Sequence, residues 1–454
     1  MKKVWSLAAI FACAFTLYGC GGNESGTDAA EGETGTPAEE NTTEGNSTEG
    51  NDPVEFTFSW WGGDPRHEAT LELIELYESL PENEHVKINP HYGAWTNWQE
   101  QFTIAFSGNQ EADLMQVNYN WVPIFSPTGE GFYDLRQLDH IINLDNYEAE
   151  LLDSMTSGEE NVLQAIPTSV TSQVPFINAT VYEKAGVDIP TTWDELMEAG
   201  RTIQAELGEE YFALGKIGYN THLLHNYLIQ TTGKQLIDEN GELNNTVEEL
   251  EAGFQLIVDL IENGVIPNQS FDSEEADEMN QNWITGRYGG FMNWDSTVSR
   301  FTGTIEEGNE IVSAPHFTMD GAERSGILTK PSMGFAIGRN TEHPEEVARF
   351  LEWMLTDPQA VEIMQLERGI PANTSAYNHL VAEGMLEGVA VDAYEIHANA
   401  DDVIVMHPFF EHQLVRDVYE YALENVAFEL WSPLEAAEYV VNNLPNALLE
   451  AMNE

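Results

Sequence analysis

Basic side chains are scarce in this sequence of 454 residues. It contains 17 Lys and Arg against 78 Asp and Glu, which gives a formal net charge of −61 at pH 7. Nucleic acids and anionic lipid surfaces are bound through clustered basic side chains, which this composition does not supply. We therefore exclude nucleic acid as a partner. The same acidic excess makes any pair of carboxylates weak evidence for acid-base catalysis.

Cysteine and long apolar runs are scarce as well. The two cysteines are Cys13 and Cys20, so a chain that begins at Cys20 has no internal disulfide and no cysteine-based metal cluster. Its fold must then rest on packing alone. The apolar run at residues 4–17 is too short to cross a bilayer, which takes about 20 residues in a helix.

The first nineteen residues have the layout of a signal peptide. Residues 1–3 (MKK) are a positive leader, residues 4–17 are apolar, and LYGC at 17–20 resembles a bacterial lipobox. The resemblance implies cleavage before Cys20 and diacylglycerol on its thiol. We therefore expect a lipid anchor at Cys20 that holds the protein at the extracellular face of the cell membrane. An ordinary secretory signal followed by a chance cysteine is the alternative.

Residues 20–52 are predicted to be a linker. After Cys20 they are almost entirely Gly, Ser, Thr, Asn, Ala and acidic residues, with no Lys, Arg or aromatic residue. Such a segment buries too little apolar surface to offset the entropy lost on ordering. It is expected to be a disordered acidic tether.

From residue 53 onward, short β-rich runs alternate with amphipathic helical windows. Strands are predicted at 55–61, 86–88 and 112–117, and helices from Asp64 and over 95–106. This strand-helix-strand order is typical of a parallel sheet in an α/β fold. Ligands of open parallel sheets bind beyond the carboxyl ends of the strands.

Aromatic and polar residues follow those strand ends. Sugars offer apolar C–H faces and rims of hydroxyl groups, so their sites combine flat aromatic rings with paired hydrogen-bonding side chains. The candidate ligand-binding residues are Trp61, Asp64, Arg66, Trp95, Asn118, Tyr119, Trp121, Trp294, Asp295 and Arg368. Trp60 and Trp61 point to opposite sides of a strand, so one is expected in the core and the other, for which we favour Trp61, in the cleft.

Each polar candidate also has a structural interpretation. Asp64 is suited to cap a helix, and Arg66 and Arg368 are suited to be surface charges. If Arg66, Lys330 and Arg368 instead meet at the site, a uronic acid is the natural ligand in so acidic a protein; if they point to solvent, a neutral oligosaccharide is favoured.

Metal and cofactor chemistry has little support. His222 and His225 have helical spacing, but no third ligand follows at a recognisable distance, and residues 238–241 (DENG) are typical of a turn. We expect no metal and no cofactor. No serine elbow, phosphate loop or zinc-binding helix motif is present. A surface-tethered glycoside hydrolase or polysaccharide lyase remains the alternative to a binding protein.

Nine segments together resemble the extracellular solute-binding proteins (family 1) of bacterial carbohydrate ABC transporters, the branch that includes maltose-binding protein. In order they are EADLMQ (111–116), QAIP (164–167), PFIN (175–178), YEKAG (182–186), PTTWDEL (190–196), GRYGGFM (286–292), GFAI (334–337), VARFLEW (347–353) and GIPA (369–372). SWWGGDPRHEAT at 59–70 is similar to a subgroup that takes up plant cell-wall oligosaccharides, including pectin-derived ones.

The resemblance implies a periplasmic-binding-protein-like fold of type II, with two α/β lobes, a hinge and an interlobe ligand cleft. On this basis we assign residues 53–135 and 314–370 to lobe 1 and residues 136–313 and 371–454 to lobe 2. It also implies a monomeric, non-enzymatic protein that binds a sugar or oligosaccharide and delivers it to the permease subunits of an ABC importer.

Overall fold

The structure is a computed structural model. It describes residues 53–95, 97–215, 220–268, 270, 278–398, 400 and 402–452. The predicted signal peptide, Cys20 and the linker lie outside the described residues.

Short strands and helices alternate along most of the described chain. The strands are β1 (Val54–Trp61), β2 (Val86–Gly93), β3 (Leu114–Asn118), β4 (Thr156–Ser157), β5 (Val162–Leu163), β6 (Ile166–Asn178), β7 (Gly290–Trp294), β8 (Ile311–Ser313), β9 (Ile327–Ile337), β10 (Ile370–Pro371) and β11 (Val403–Val405). The helices are α1 (Asp64–Ser79), α2 (Trp98–Ser107), α3 (Trp121–Phe125), α4 (Ala149–Ser154), α5 (Ala179–Ala185), α6 (Trp193–Leu207), α7 (Asn220–Thr232), α8 (Val247–Glu262), α9 (Gln281–Ile284), α10 (Val298–Thr302), α11 (Pro344–Thr356), α12 (Pro358–Met364), α13 (Thr374–Ala382), α14 (Val389–Ala398), α15 (Gln413–Ala427) and α16 (Pro433–Ala451). Within the described ranges, no helix has the length and apolar character needed to cross a membrane.

The predicted strand-helix-strand unit at the start of the folded region is confirmed. β1 pairs in parallel with both β2 and β3. Side chains alternate across β1. Phe58 is on the face that packs against Phe350 of α11, with ring centroids 5.9 Å apart, whereas Trp61 is on the face that meets Trp121 of α3.

These strands belong to a larger mixed sheet. Six of its strands follow the order β10-β6-β9-β3-β1-β2, while β11 pairs with β9, and β7 and β8 pair with β6. The first part of β6 lies antiparallel to β9, and its second part lies antiparallel to β7 and β8. One long strand therefore joins two regions of the sheet.

The two larger hydrophobic clusters are separate in space and discontinuous in sequence. We call the first core the cluster whose buried residues fall within 56–170 and 335–372. The second core draws its buried residues from 177–328 and 404–451. The chain thus passes from the first core to the second within β6, returns within β9, and passes to the second core again between residues 372 and 404.

This division differs from the lobe boundaries derived from the sequence. Buried residues such as Leu138 and Ile166 belong to the first core, although the sequence-based boundary places them in lobe 2. The crossing lies within β6 because this strand is long enough to pair with partners from both regions. The lobe limits at residues 135, 313 and 370 stay predictions.

Candidate functional site

Three predicted site tryptophans meet at the carboxyl end of β1. The ring centroids of Trp61 lie 5.2 Å from Trp95 and 5.1 Å from Trp121. Trp95 stacks on Trp121 at 5.7 Å with 14° between the ring planes. Trp95 keeps 48% of its surface exposed, whereas Trp121 is fully buried. The group therefore presents one indole, Trp95, on a support made by the other two.

Trp60 and Trp61 lie on opposite faces of β1, and both side chains are buried. Trp60 is fully buried and stacks on Tyr92 at 4.9 Å on the opposite face of β1. Trp61 keeps only 7% of its surface exposed, because Trp95 and Trp121 cover its ring. Direct ligand contacts by Trp61 and Trp121 stay predictions.

Arg66 and Arg368 come together beside this aromatic group. Arg66 donates hydrogen bonds to the carbonyl oxygens of Glu367 (2.8 Å) and Trp61 (3.1 Å). Arg368 donates to Gln116 Oε1 at 2.9 Å and to Thr70 Oγ1 at 3.0 Å. Gln116 Nε2 donates to the same Trp61 carbonyl, and Thr70 Oγ1 donates to the Arg66 carbonyl. The two guanidinium groups are therefore fixed in one closed hydrogen-bond network.

Neither arginine forms an ion pair with a carboxylate anywhere in the described part of the chain. Burial is the main cause of the lowered pKa of both guanidinium groups, and the charge of Arg66 further lowers the pKa of Arg368, while the nearby Glu367 carboxylate raises the pKa of both without offsetting burial. Guanidinium groups nevertheless stay protonated in proteins. The Nη2 group of Arg66 has no acceptor among the described residues. The network thus concentrates two positive charges and leaves donors of Arg66 available to an anion.

Asp64 and Asn118 border this network without joining it. Asp64 is the exposed first residue of α1, and Gly63 rather than Asp64 occupies the N-cap position. Asn118 pairs across the sheet with Met333, and the Sδ atom of Met333 lies 4.0 Å from Arg66 Nη1. The Oδ1 atom of Asn118 accepts a hydrogen bond from the Tyr119 amide. Asp64 shares helix α1 with Arg66, and Asn118 pairs with Met333, which contacts Arg66. Their roles as ligand contacts stay predictions.

Trp294 lies on the other side of the crossing strands, in the second core. Lys330 Nζ sits 4.6 Å above its ring and forms an ion pair with Glu411. His222 contacts the ring edge-on at 5.5 Å. Lys330 and Met333 are three residues apart on β9, about 10 Å at the usual rise of a strand. β9 therefore carries one end of the candidate site near Arg66 and the other near Trp294.

Asp295 is buried, and its carboxylate accepts hydrogen bonds from the middle of β6. Its Oδ1 accepts from Thr171 Oγ1 at 2.6 Å, and its Oδ2 accepts from the Ser172 amide at 3.1 Å. Desolvation outweighs these bonds and raises the pKa of Asp295 to about 7. Because both oxygens are engaged and the side chain is 2% exposed, its observed role is to fix β6 where the chain passes between the cores.

Tyr119 joins the two cores. Its ring belongs to the first core, and its hydroxyl donates to the Met406 carbonyl at 2.8 Å in the second. Tyr119 also lines a cavity of about 840 Å³ that is bounded by Leu151 and Val170 of the first core and Ile404 of the second. The opening between the cores is therefore large enough for an oligosaccharide unit.

Several contacts of this region were not predicted as site features. Gln116 and Thr70 lie inside a strand and a helix, where the sequence gives no sign of a tertiary hydrogen bond. Glu411 is one of many acidic residues, so nothing distinguishes it in the sequence. Lys330 did carry a signal, because basic residues are scarce.

The described residues contain no group of three His, Cys, Asp or Glu placed to hold a metal ion. His222 lies against Trp294, and His225 lies against Phe410 with ring centroids 3.9 Å apart. Burial lowers the pKa of His225 to about 3. The sequence 238–241 forms the predicted turn, in which Asp238 Oδ1 accepts from the Asn240 and Glu242 amides.

Residues 65–361 match the model of the bacterial extracellular solute-binding proteins. The chain belongs to this family. Its fold is that of the type II periplasmic binding proteins, with two α/β lobes and a cleft between them.

Solved structures and relatives add detail. A periplasmic oligogalacturonide-binding protein from Yersinia enterocolitica is 27% identical over 88% of this chain and 100% of its own, with a TM-score of 0.79. The same protein has been solved with saturated digalacturonic acid, where the TM-score is 0.76. A de novo designed cysteine esterase also shares the fold, with 28% identity, coverage of 88% of this chain and 99% of that chain, and a TM-score of 0.82.

The relatives matched by sequence align with this chain over a smaller part of their length than the solved structures do. An arabinooligosaccharide-binding protein from Halalkalibacterium halodurans is 24% identical over 163 residues, which is 34% of this chain and 34% of that protein. This chain therefore aligns with about a third of the relative's length.

Proposed function

We propose that this chain is the substrate-binding component of an ABC importer and that it binds a uronate-containing oligosaccharide between two lobes centred on the two cores. It delivers the intact saccharide to the permease subunits. We further propose that it acts as a monomer at the extracellular face of the membrane, held by lipid at Cys20. Family membership and the oligogalacturonide-binding neighbour support this proposal.

The arginine pair is the observation that carries the choice of an acidic ligand. Arg368 is buried and Arg66 is half-buried, and neither forms an ion pair with a carboxylate among the described residues, in a chain with 78 Asp and Glu. The nearby Glu367 carboxylate offsets only part of the effect of burial on their pKa. A buried charge without a partner is unfavourable, so such groups are usually kept where an opposite charge binds. The carboxylate of a uronic acid supplies that charge, and the planar guanidinium can bind it through two donors.

Trp95 supplies the apolar part of the site in this proposal. Its exposed indole rests on Trp121 and Trp61, so its ring is held in place before a ligand arrives. Trp61 links the two parts of the site, because its ring contacts Trp95 while its carbonyl accepts from Arg66. A sugar ring stacked on Trp95 would therefore have its carboxylate within reach of Arg66.

Catalysis is the alternative, and one observation bears on it. A carboxyl group with a pKa near 7 is suited to act as a general acid, and Asp295 has such a pKa. Its burial and its bonds to Thr171 and Ser172 instead favour a structural role. We propose that the chain is not an enzyme.

The proposed function is tested by calorimetric titration of the protein with digalacturonic acid. Saturable binding is expected in the wild type. Trp95→Ala is expected to weaken it at least 5-fold, because a stacked aromatic ring contributes about 1 kcal/mol beyond its buried area. The matched control is Trp431→Ala, since Trp431 packs between Tyr421 and Tyr439 on the C-terminal helices. Absence of binding in the wild type would contradict the proposal, and equal affinity in Trp95→Ala would remove Trp95 from the site.

A further inference from the structure

A second cavity lies within the first α/β unit, between α2 and the sheet. Its volume is about 340 Å³, within the range typical of small-ligand pockets. Its lining residues are Thr57, Ser59, His91, Trp98, Gln101, Phe102, Ala105, Gln110, Glu111, Ala112 and Met115. Small side chains of β1 and of residues 105 and 112 contribute to this lining.

This cavity is distinct from the candidate cleft. Thr57 and Ser59 precede Trp61 on β1, on the same face of the strand, and Glu111 lies ahead of the amino end of β3. The proposed cleft residues gather at the opposite, carboxyl ends of these strands. None of them lines the second cavity.

Two buried polar atoms on the cavity wall have no hydrogen-bond partner among the described residues. They are the indole nitrogen of Trp98 and Oε2 of Glu111, and the hydroxyl-bearing Ser59 also lines the cavity. Trp98 and Ser59 are only 4% and 7% exposed. Buried polar atoms usually have partners, because leaving one unpaired costs roughly 1–3 kcal/mol. Two such atoms on one cavity wall indicate that the cavity holds something polar.

The arrangement of these groups is fixed by their surroundings. The Trp98 ring lies against Gly93, where an added Cβ would come within 3.3 Å of it, and it contacts the His91 ring at 5.6 Å. The other oxygen of Glu111 accepts from Asn340 Nδ2 at 2.6 Å. The unpaired indole N–H and the unpaired carboxylate oxygen are therefore held in place.

The chemistry of the wall selects the class of ligand. Trp98 requires an acceptor, Glu111 requires a donor, and the Ser59 hydroxyl can use either. None of the lining residues is Lys or Arg, so a free carboxylate would have no cation to bind. An ammonium ion would suit Glu111 but would leave the Trp98 N–H unpaired. Hydroxyl groups on a compact carbon skeleton satisfy all three, and Phe102 and Met115 supply an apolar wall for its C–H bonds.

We propose that the cavity beneath α2 is a second binding site, for a small neutral polyhydroxyl compound of monosaccharide size. The site lies away from the cleft and does not depend on the function proposed for it. Ordered water is the competing occupant, since a polar cavity of this size also accommodates water.

The test follows the indole N–H resonances of the wild-type chain labelled with ¹⁵N in tryptophan, during titration with myo-inositol. The resonance that is missing in Trp98→Phe identifies Trp98. It is expected to shift saturably, with a dissociation constant of about 1 mM or below. Ser59→Ala is expected to weaken this binding about 3- to 10-fold, the effect of one hydrogen bond. Thr103→Ala, on the exposed side of α2, is the matched control and is expected to leave it unchanged.

Three results would overturn the proposal. The Trp98 resonance could stay in place at saturating inositol, which would leave water as the occupant. It could respond to ethylammonium chloride and not to inositol, which would assign the site to cations. It could also shift equally in wild type and Ser59→Ala, which would place the probe elsewhere.

Discussion

Replacing Arg66 by methionine is expected to lower the affinity for digalacturonic acid by about 10- to 100-fold. The substitution keeps an unbranched side chain of similar reach but removes the guanidinium. A hydrogen bond to a charged group contributes about 1.5–3 kcal/mol, which corresponds to that range. Arg66 is the better target of the pair, because Arg368 already donates to Gln116, Thr70 and Met364.

Two further variants make this prediction specific. Arg66→Lys keeps the charge but not the planar pair of donors, so its affinity is expected to fall between those of wild type and Arg66→Met. Arg349→Met removes an exposed arginine from α11, where it pairs with Glu345, and is expected to bind like wild type. Calorimetry measures all three affinities. If Arg66→Met binds digalacturonic acid as tightly as wild type does, the arginine pair is not the carboxylate site.

The second large effect is a loss of stability between pH 7 and pH 5. Burial lowers the pKa of His316, His397 and His407 to about 4 and that of His225 to about 3. In the unfolded chain these imidazoles take up a proton near pH 6.5. Their neutral forms therefore stabilise the fold above that pH, and this contribution is lost as the pH falls through 6.5 toward the folded pKa values.

Asp295 acts in the opposite direction. Its folded pKa of about 7 exceeds the unfolded value, so its contribution is present at low pH and is lost as the pH rises through 7. Burial also lowers the pKa of His222 well below its usual value, so five imidazoles against one carboxyl leave an excess of about four protons taken up on unfolding. The free energy of unfolding is thus expected to fall by something on the order of 5 kcal/mol per pH unit near pH 5.5. Most surface carboxylates titrate below this window.

Calorimetric melting between pH 7 and pH 5 checks this expectation. The melting temperature should fall steeply as the solution is acidified. Asp295→Asn removes the opposing carboxyl and should make the fall steeper, whereas His140→Gln, at an exposed site, should leave it unchanged. A melting temperature that stays constant from pH 7 to pH 5 would show that the buried histidines do not control stability in this range.

Local pattern was enough to predict the first strand-helix-strand unit. The alternation in residues 55–61 and the break at Gly62 and Gly63 predicted β1 and the start of α1, which the structure places at Asp64. The helix predicted over 95–106 begins instead at Trp98. Trp95 therefore lies outside the helix, where it stays exposed. Because α2 begins three residues later than predicted, the indole of Trp95 is available to a ligand.

Contacts between distant segments were not predictable in the same way. Arg368 reaches Thr70 across 298 residues, and Arg66 reaches the Glu367 carbonyl across 301. Such contacts depend on how the strands stack, which no local pattern specifies. Trp121 followed a strand like the other candidates, yet hydrophobic packing against Trp61 and Phe102 buries it completely. Position at a strand end therefore identified the neighbourhood of the site but not the exposure of each side chain.

Equilibrium dialysis of the wild-type protein against digalacturonic acid, followed by chromatography of the saccharide on both sides of the membrane, tests whether the chain binds an acidic saccharide and leaves it intact. Enrichment on the protein side is expected to saturate at one disaccharide per chain, with only the intact disaccharide recovered. Equal concentrations on both sides, or the appearance of monomeric or unsaturated galacturonate, would contradict this expectation.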